Sequence, residues 1–277
     1  MYYLDTSTLR ALGGKLSSIP AESCKTSALA LVEMLNGMRA SEQDYRRRSS
    51  PIRAVMSLGM QVVWEMVYKR VARGFDDLVY PDDAAIQALR GIVGAVQVAP
   101  SLELFMAALP NEEDLQHFEQ FDLNFAVGVA GSIGAANQDM KRHFLKEKHD
   151  GSGILDPSLY NGSFAQFNKR FHAEHGTLNT ELTKLALART LASETGEAES
   201  SMFKRYNGKL DTFIAALTHR SITYAVNMSG PARNDLHDDS HMLYIEPGDT
   251  MITEDAGLAK LCDAVGVPVE SHTALLP

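Results

Sequence analysis

The sequence predicts an α/β protein whose parallel sheet is assembled from both ends of the chain, with a large helical block between them. Three observations predict it. The chain opens on a short β-prone run, Tyr2-Tyr3-Leu4, that stops at Asp5. After residue 233 helix and strand signals alternate, and such alternation implies parallel strands. From Met38 to Gly230, by contrast, apolar residues recur mainly at helical spacing.

With 277 residues the chain is long enough to bury a full core as one large domain or two smaller ones. Its 45% hydrophobic and 22% charged residues are ordinary for a soluble globular protein. A net charge of −9 argues against coating nucleic acid through bulk charge, but leaves room for an enzyme that grips phosphates through a local patch. No window approaches the roughly 18 apolar residues of a membrane span, and no secretory signal opens the chain. The expectation is therefore a cytoplasmic protein with no membrane partner. Cys24 and Cys262 have no metal-ligand spacing and read as buried free thiols.

In chain order, Tyr2 to Leu4 read as a strand, and Asp5-Thr6-Ser7-Thr8 supply capping oxygens for a helix. Gly13-Gly14 interrupts, and Ser27 to Leu35 form an apolar helix in which Glu33 is the only charge. If the Glu33 face packs inward, its carboxylate needs a partner. Ile52, Val55, Met56, Val62, Val63, Met66, Val67 and Val71 predict one long amphipathic helix. Further helices are expected around 83–94, 101–120, 137–148, 163–174, 177–195 and 200–227, with Val96-Gln97-Val98 as a short candidate strand. Gly151, Gly153, Pro157 and Gly162 mark an internal loop over 148–163. The last segment reads as a helix over 235–245, a turn at Glu246-Pro247-Gly248, a strand over 250–253, a helix near 256–265 and a strand over 267–270.

Hydrolysing a phosphodiester requires a divalent cation to activate water and neutralise phosphoryl oxygens, and hard Mg²⁺ or Mn²⁺ calls for oxygen ligands. The sequence offers Asp5 at a strand tip, Glu33 in an apolar helix, Asp238 in a helix opening and Asp255 just beyond a strand. The segments Leu4-Asp5-Thr6-Ser7, the Glu33 helix, Asp238 to Tyr244, and Gly248-Asp249-Thr250-Met251-Ile252-Thr253-Glu254-Asp255 together resemble the PIN-like nuclease family. The last segment is the most specific. The resemblance covers residues 1–40 and 230–277 and treats 41–229 as a mainly α-helical insertion. It implies a three-layer α/β/α fold and a metal-dependent endoribonuclease in which Asp5, Glu33, Asp238 and Asp255 hold Mg²⁺ or Mn²⁺. Thr253 looks like a site hydroxyl. Asp235 or Asp239 could replace Asp238 as the third acid or stand behind it. The implied partners are single-stranded or structured RNA, with room for an antitoxin, another protein or a second copy of the chain. Toxin, RNA-processing and defence roles stay open.

Each feature also has a plainer reading. Asp5 could be a helix cap, Glu33 a structural acid beside a buried Arg, and Asp239 and Asp249 solvated turn or cap residues. A rival function is a catalytically silent interaction module. A third is a helical metal phosphohydrolase built on His237-Asp238, with His143, His149, His172 and His175 elsewhere. Gly128, Gly131 and Gly134 lack the Lys-Ser/Thr ending of a phosphate loop and read as helix packing. The basic runs Arg46-Arg47-Arg48, Lys141-Arg142, Lys169-Arg170 and Lys204-Arg205 read as solvated faces, or as phosphate contacts if they converge on the acidic end of the sheet.

Overall fold

The computed structural model describes residues 1–75, 84–120, 180–193, 195–227 and 235–276. Its centre is a five-stranded, all-parallel sheet in the order β3-β2-β1-β4-β5. The strands are β1 (Tyr2–Leu4), β2 (Cys24–Ser27), β3 (Gln61–Val63), β4 (Thr250–Ile252) and β5 (Val269–Glu270). Tyr3 pairs with Lys25 on one side and Met251 on the other, so the N-terminal strand is central. From β1 the chain winds outward through β2 and β3, and the C-terminal segment fills the other side with β4 and β5. The winding direction reverses between β1 and β4, which is where open α/β sheets bind ligands beyond their carboxyl ends.

Local chemistry explains the elements that set this geometry. Asp5 caps α1 (Thr6–Leu12), and the helix stops at Gly13, whose φ is +47°. Ser27 ends β2 and caps α2 (Ala28–Leu35) by accepting from the Ala30 amide at 3.2 Å. Ser41 caps α3 (Glu42–Ser57). The expected long helix breaks after α3, because Gly59 takes φ +64° and Val62-Val63 then extend as β3 before α4 (Val67–Arg73). Residues 96–98 are not a strand. They close α5 (Ala84–Val98), where Ile86, Leu89, Val93 and Val96 bury one helical face. The stretch 101–120 is two helices, α6 (Leu102–Ala108) and α7 (112–120), parted around Pro110.

Strand β3 lies inside the stretch 41–229 that the sequence assigns to the helical insertion, and α3 and α5 share a core with α2. Two compact units result, one from 1–73, 77–124 and 240–277, the other from 74–76 and 125–239. Two apolar clusters stand out among the described residues of the first unit. One joins Leu31, Met34, Tyr45, Leu89, Phe105 and Phe118; the other joins Leu4, Leu9, Leu16, Val55 and Ile252. Tyr3 points to the face opposite Leu4 and stacks on Tyr244 with centroids 6.2 Å apart and planes 7° apart.

The second unit contains α8 (180–193), α9 (Glu199–Lys204), α10 (Asp211–Asn227) and the first five residues of α11 (Asp235–His241). Gly74 packs so closely on Leu210 that a Cβ there would lie 2.2 Å from its Cδ1. The last helix of the first unit is α12 (Ala256–Ala264). Among the described residues no helix is long and apolar enough to cross a membrane. The expected helices over 137–148 and 163–174, the 148–163 loop, Gly128, Gly131 and Gly134, the Lys141 and Lys169 runs, and His143, His149, His172 and His175 lie outside the described residues.

Candidate functional site

Asp5 follows the last residue of β1 and is only 3% exposed. Oδ1 accepts from the Thr8 amide at 2.8 Å and Oδ2 from the Thr253 hydroxyl at 2.7 Å. Ser7 Oγ lies 3.0 and 2.9 Å from the two oxygens. The same hydroxyls tie down the end of β4: the Glu254 amide donates to Ser7 Oγ at 2.9 Å, and the Asp255 amide to Thr253 Oγ1 at 3.0 Å. Thr8 Oγ1 adds a bond to the Ile252 carbonyl at 2.7 Å. The switch point between β1 and β4 is therefore clipped together by three hydroxyls around one carboxylate.

No lysine, arginine or histidine pairs with Asp5 among the described residues. That is unusual for a buried carboxylate, because the desolvation of an unpaired charge is costly. Elsewhere in the same unit the rule is obeyed. Asp249 is 6% exposed and pairs with Lys25, itself 2% exposed, at 2.6 Å. Asp249 also accepts from the Glu246 amide at 2.7 Å, closing the turn at Gly248. The sequence expectation of a solvated Asp249 is thus corrected: strand β2 brings a buried lysine to it.

Asp255 is half-buried and caps α12, accepting from the amides of Gly257 and Leu258 at 2.6 and 3.0 Å. Thr253, one bond from both Asp5 and the Asp255 backbone, joins the two acids. Glu33 sits on the second turn of α2. Its Oε2 accepts from the Thr6 hydroxyl and lies 3.2 Å from His241 Nε2. The arginine near it, Arg10, bonds the Glu33 main-chain carbonyl at 3.1 Å. Glu33 and Asp5 are therefore held by Thr6 and by its chain neighbours Ser7 and Thr8 at the start of one helix.

Asp235, Asp238 and Asp239 belong to the second unit, where they surround Arg220 of α10. Its Nη1, Nη2 and Nε donate to Asp235, Asp238 and Asp239 at 3.0, 3.3 and 3.0 Å. The Tyr224 hydroxyl also donates to Asp235. Three carboxylates share one guanidinium, so Arg220 is held more firmly charged than usual while burial pushes Asp239 up to about 6. Asp239 is buried, not a solvated cap. His237 is also buried, and its neighbour Asp238 is engaged by Arg220.

Sequence reasoning missed Tyr3, Ser27 and His241. The Tyr3 hydroxyl lies 2.7 Å from both Ser27 Oγ and His241 Nδ1, and all three side chains are buried. Their only sequence signals are a tyrosine in an apolar strand and a histidine one helical turn after Asp238. Positive charge gathers nearby, where α2 ends. Arg48 packs against Gly37, and burial together with Arg10 and Arg47 lowers its pKa. Its Nε and Nη1 have no hydrogen-bond partner among the described residues.

The donor chemistry around Asp5 fits a hard cation, since the groups present are carboxylate and hydroxyl oxygens and, among the described residues, no cationic side chain pairs with it. Among the described residues, however, no three His, Cys, Asp or Glu side chains stand together as a ready-made metal cage. No protein-family model, no curated protein and no solved structure matches the chain.

Proposed function

We propose that the first unit is a PIN-like, metal-dependent nuclease core that hydrolyses phosphodiester bonds, with RNA as its substrate. One observation carries the reading: a buried carboxylate, Asp5, lies without a cationic partner among the described residues at the switch point of a parallel sheet ordered 3-2-1-4-5. The order of the acids and the hydroxyl at Thr253 support it, and the choice of RNA rests on the resemblance.

In this reading Asp5, Asp255 and Glu33 would hold Mg²⁺ or Mn²⁺, which when bound lowers the pKa of water and offsets charge on the phosphoryl oxygens. The protein's own groups do the rest. Ser7, Thr8 and Thr253 fix the Asp5 carboxylate, and Thr6 restrains Glu33. Arg10, Arg47 and Arg48 supply the positive field that draws a phosphate backbone toward an acidic centre. Asp238, engaged by Arg220, is not used.

A second reading has its own observation. Asp5 and Asp255 are both helix caps, and a cap needs no metal. The chain would then be a catalytically silent interaction module on the same fold. The helical phosphohydrolase would need Asp238 of His237-Asp238 as a metal ligand, and Arg220 engages that carboxylate instead. The test is cleavage of mixed single-stranded and structured RNA with Mn²⁺, comparing wild type, Asp5→Asn and an EDTA control. Cleavage lost in both controls is the expected result. Cleavage that survives Asp5→Asn would overturn the assignment, and metal-independent protein with no cleavage would favour the silent module.

A further inference from the structure

We propose that His241 is a positioning residue for Glu33, held as its neutral Nε2–H tautomer by a one-way hydrogen-bond chain that runs from Ser27 through Tyr3. The proposal rests on the nuclease reading above and assigns how that site aims one of its acids.

The direction of the chain follows from counting protons. Ser27 Oγ already accepts from the Ala30 amide at 3.2 Å, so its own proton is available to Tyr3 at 2.7 Å. A phenol carries one proton, which it keeps at neutral pH. Having accepted from Ser27, Tyr3 donates to His241 Nδ1 at 2.7 Å. Nδ1 is then an acceptor, and the ring proton must sit on Nε2, which faces Glu33 Oε2 at 3.2 Å. In a neutral ring the reverse direction would aim a bare nitrogen lone pair at a carboxylate oxygen, and in a neutral or a charged ring alike it would leave the Ser27 proton without Tyr3 as its acceptor.

The chain is anchored on rigid parts. Tyr3 belongs to the central strand and stacks on Tyr244, whose hydroxyl donates to the Glu65 carbonyl at 2.8 Å. Ser27 is fixed as the cap of the helix that carries Glu33. His241 and the Thr6 hydroxyl therefore hold the same carboxylate oxygen of Glu33. A carboxylate restrained in this way presents a defined direction to a cation, as outer partners of ligating groups do.

Two measurements on the full chain test this. In ¹⁵N-histidine NMR of the wild type, His241 should be the neutral Nε2–H form; the Nδ1–H form or the imidazolium would overturn the chain. Mn²⁺ affinity, read by electron paramagnetic resonance, should fall ~10- to 100-fold in His241→Leu. In His241→Gln, whose amide N–H can replace Nε2–H, it should return to within ~3-fold of wild type, while thermal denaturation confirms that both variants fold. Equal loss in both variants, with wild-type binding intact, would overturn the positioning role alone. Wild-type binding that is absent, or indifferent to Asp5→Asn, would overturn the nuclease reading and with it the role of His241 toward a cation.

Discussion

Two buried aspartates stand at opposite ends of two adjacent parallel strands and are treated in opposite ways. Asp249, at the start of β4, is met by Lys25 at 2.6 Å and closes a turn. Asp5, at the end of β1, is met by two hydroxyls and an amide. Hydroxyls orient a carboxylate without cancelling its charge, whereas an ammonium group does both. The fold thus pairs the acid at the end where strands begin with a cation and leaves the acid at the other end to hydroxyls and an amide. On the proposed nuclease reading, the difference separates an acid used for folding from one reserved for a cation.

The sharpest way to break this comparison is to substitute both acids in parallel. Asp5→Asn keeps a capping oxygen, so its thermal stability should stay within about 1 kcal/mol of wild type. Its Mn²⁺-dependent RNA cleavage should fall at least ~10³-fold. Asp249→Asn should show the reverse, with activity per folded molecule retained and stability lowered by about 3 kcal/mol or more, because Lys25 is left buried beside the exposed Glu246 alone. Denaturant melts and cleavage rates read both. If the two variants lose stability alike, the two acids are equivalent and the functional reading of Asp5 fails.

The Arg220 cluster supplies an intermediate case, in which cationic compensation is present but shared three ways. Arg220→Met should destabilise the second unit by about 3 kcal/mol, since three carboxylates lose their common partner. Asp239 sharpens the point through pH. Its native pKa, raised to about 6 by burial, lies above its unfolded value, so between about pH 4 and 6 the native state binds more protons than the unfolded one. Its contribution therefore turns unfavourable as pH rises through that window and is constant above it. Asp239→Asn should remove this slope, and wild-type minus variant stability should fall by on the order of 1–3 kcal/mol from pH 4 to pH 7. A flat difference would mean that Arg220 compensates Asp239 fully.

How much of this was legible in the sequence depends on what kind of residue does the work. Strands β1 and β4 were readable because a β-prone run ends abruptly at a capping acid or hydroxyl, and with them came Asp5, Thr253 and Asp255. Strand β2 was not, because Cys-Lys-Thr-Ser carries no apolar pattern. It is buried through specific partners instead: Lys25 with Asp249, Thr26 with the Leu4 carbonyl at 2.8 Å, and Ser27 with Tyr3. Strand β3 was concealed by valines that continue the helical spacing of α3, which a periodicity argument cannot separate from a break at Gly59. The solvated reading of Asp249 failed for the same reason, since turn composition predicts exposure and only the unseen strand supplies its lysine. His241 and Tyr3 are 238 residues apart, and nothing local in the chain announces a bond between them.

The smallest expected effect tests the hydroxyl side of the comparison. Thr253→Val is nearly isosteric but removes the donor 2.7 Å from Asp5 Oδ2 and the acceptor of the Asp255 amide. If hydroxyls orient Asp5 rather than neutralise it, Ser7 and the Thr8 amide should still hold the carboxylate in place, though less narrowly. Mn²⁺ affinity should then fall ~10-fold, as for loss of an outer partner, well short of the loss in Asp5→Asn. Serine at 253 keeps the hydroxyl and should restore most of the affinity, which separates the hydrogen bond from the packing of the methyl group. Calorimetric titration of the three proteins with Mn²⁺ reads the order directly. Should valine and serine bind alike, the clip at the switch point would be a device for joining β1 to β4, and orientation of Asp5 would rest on Ser7 and Thr8 alone.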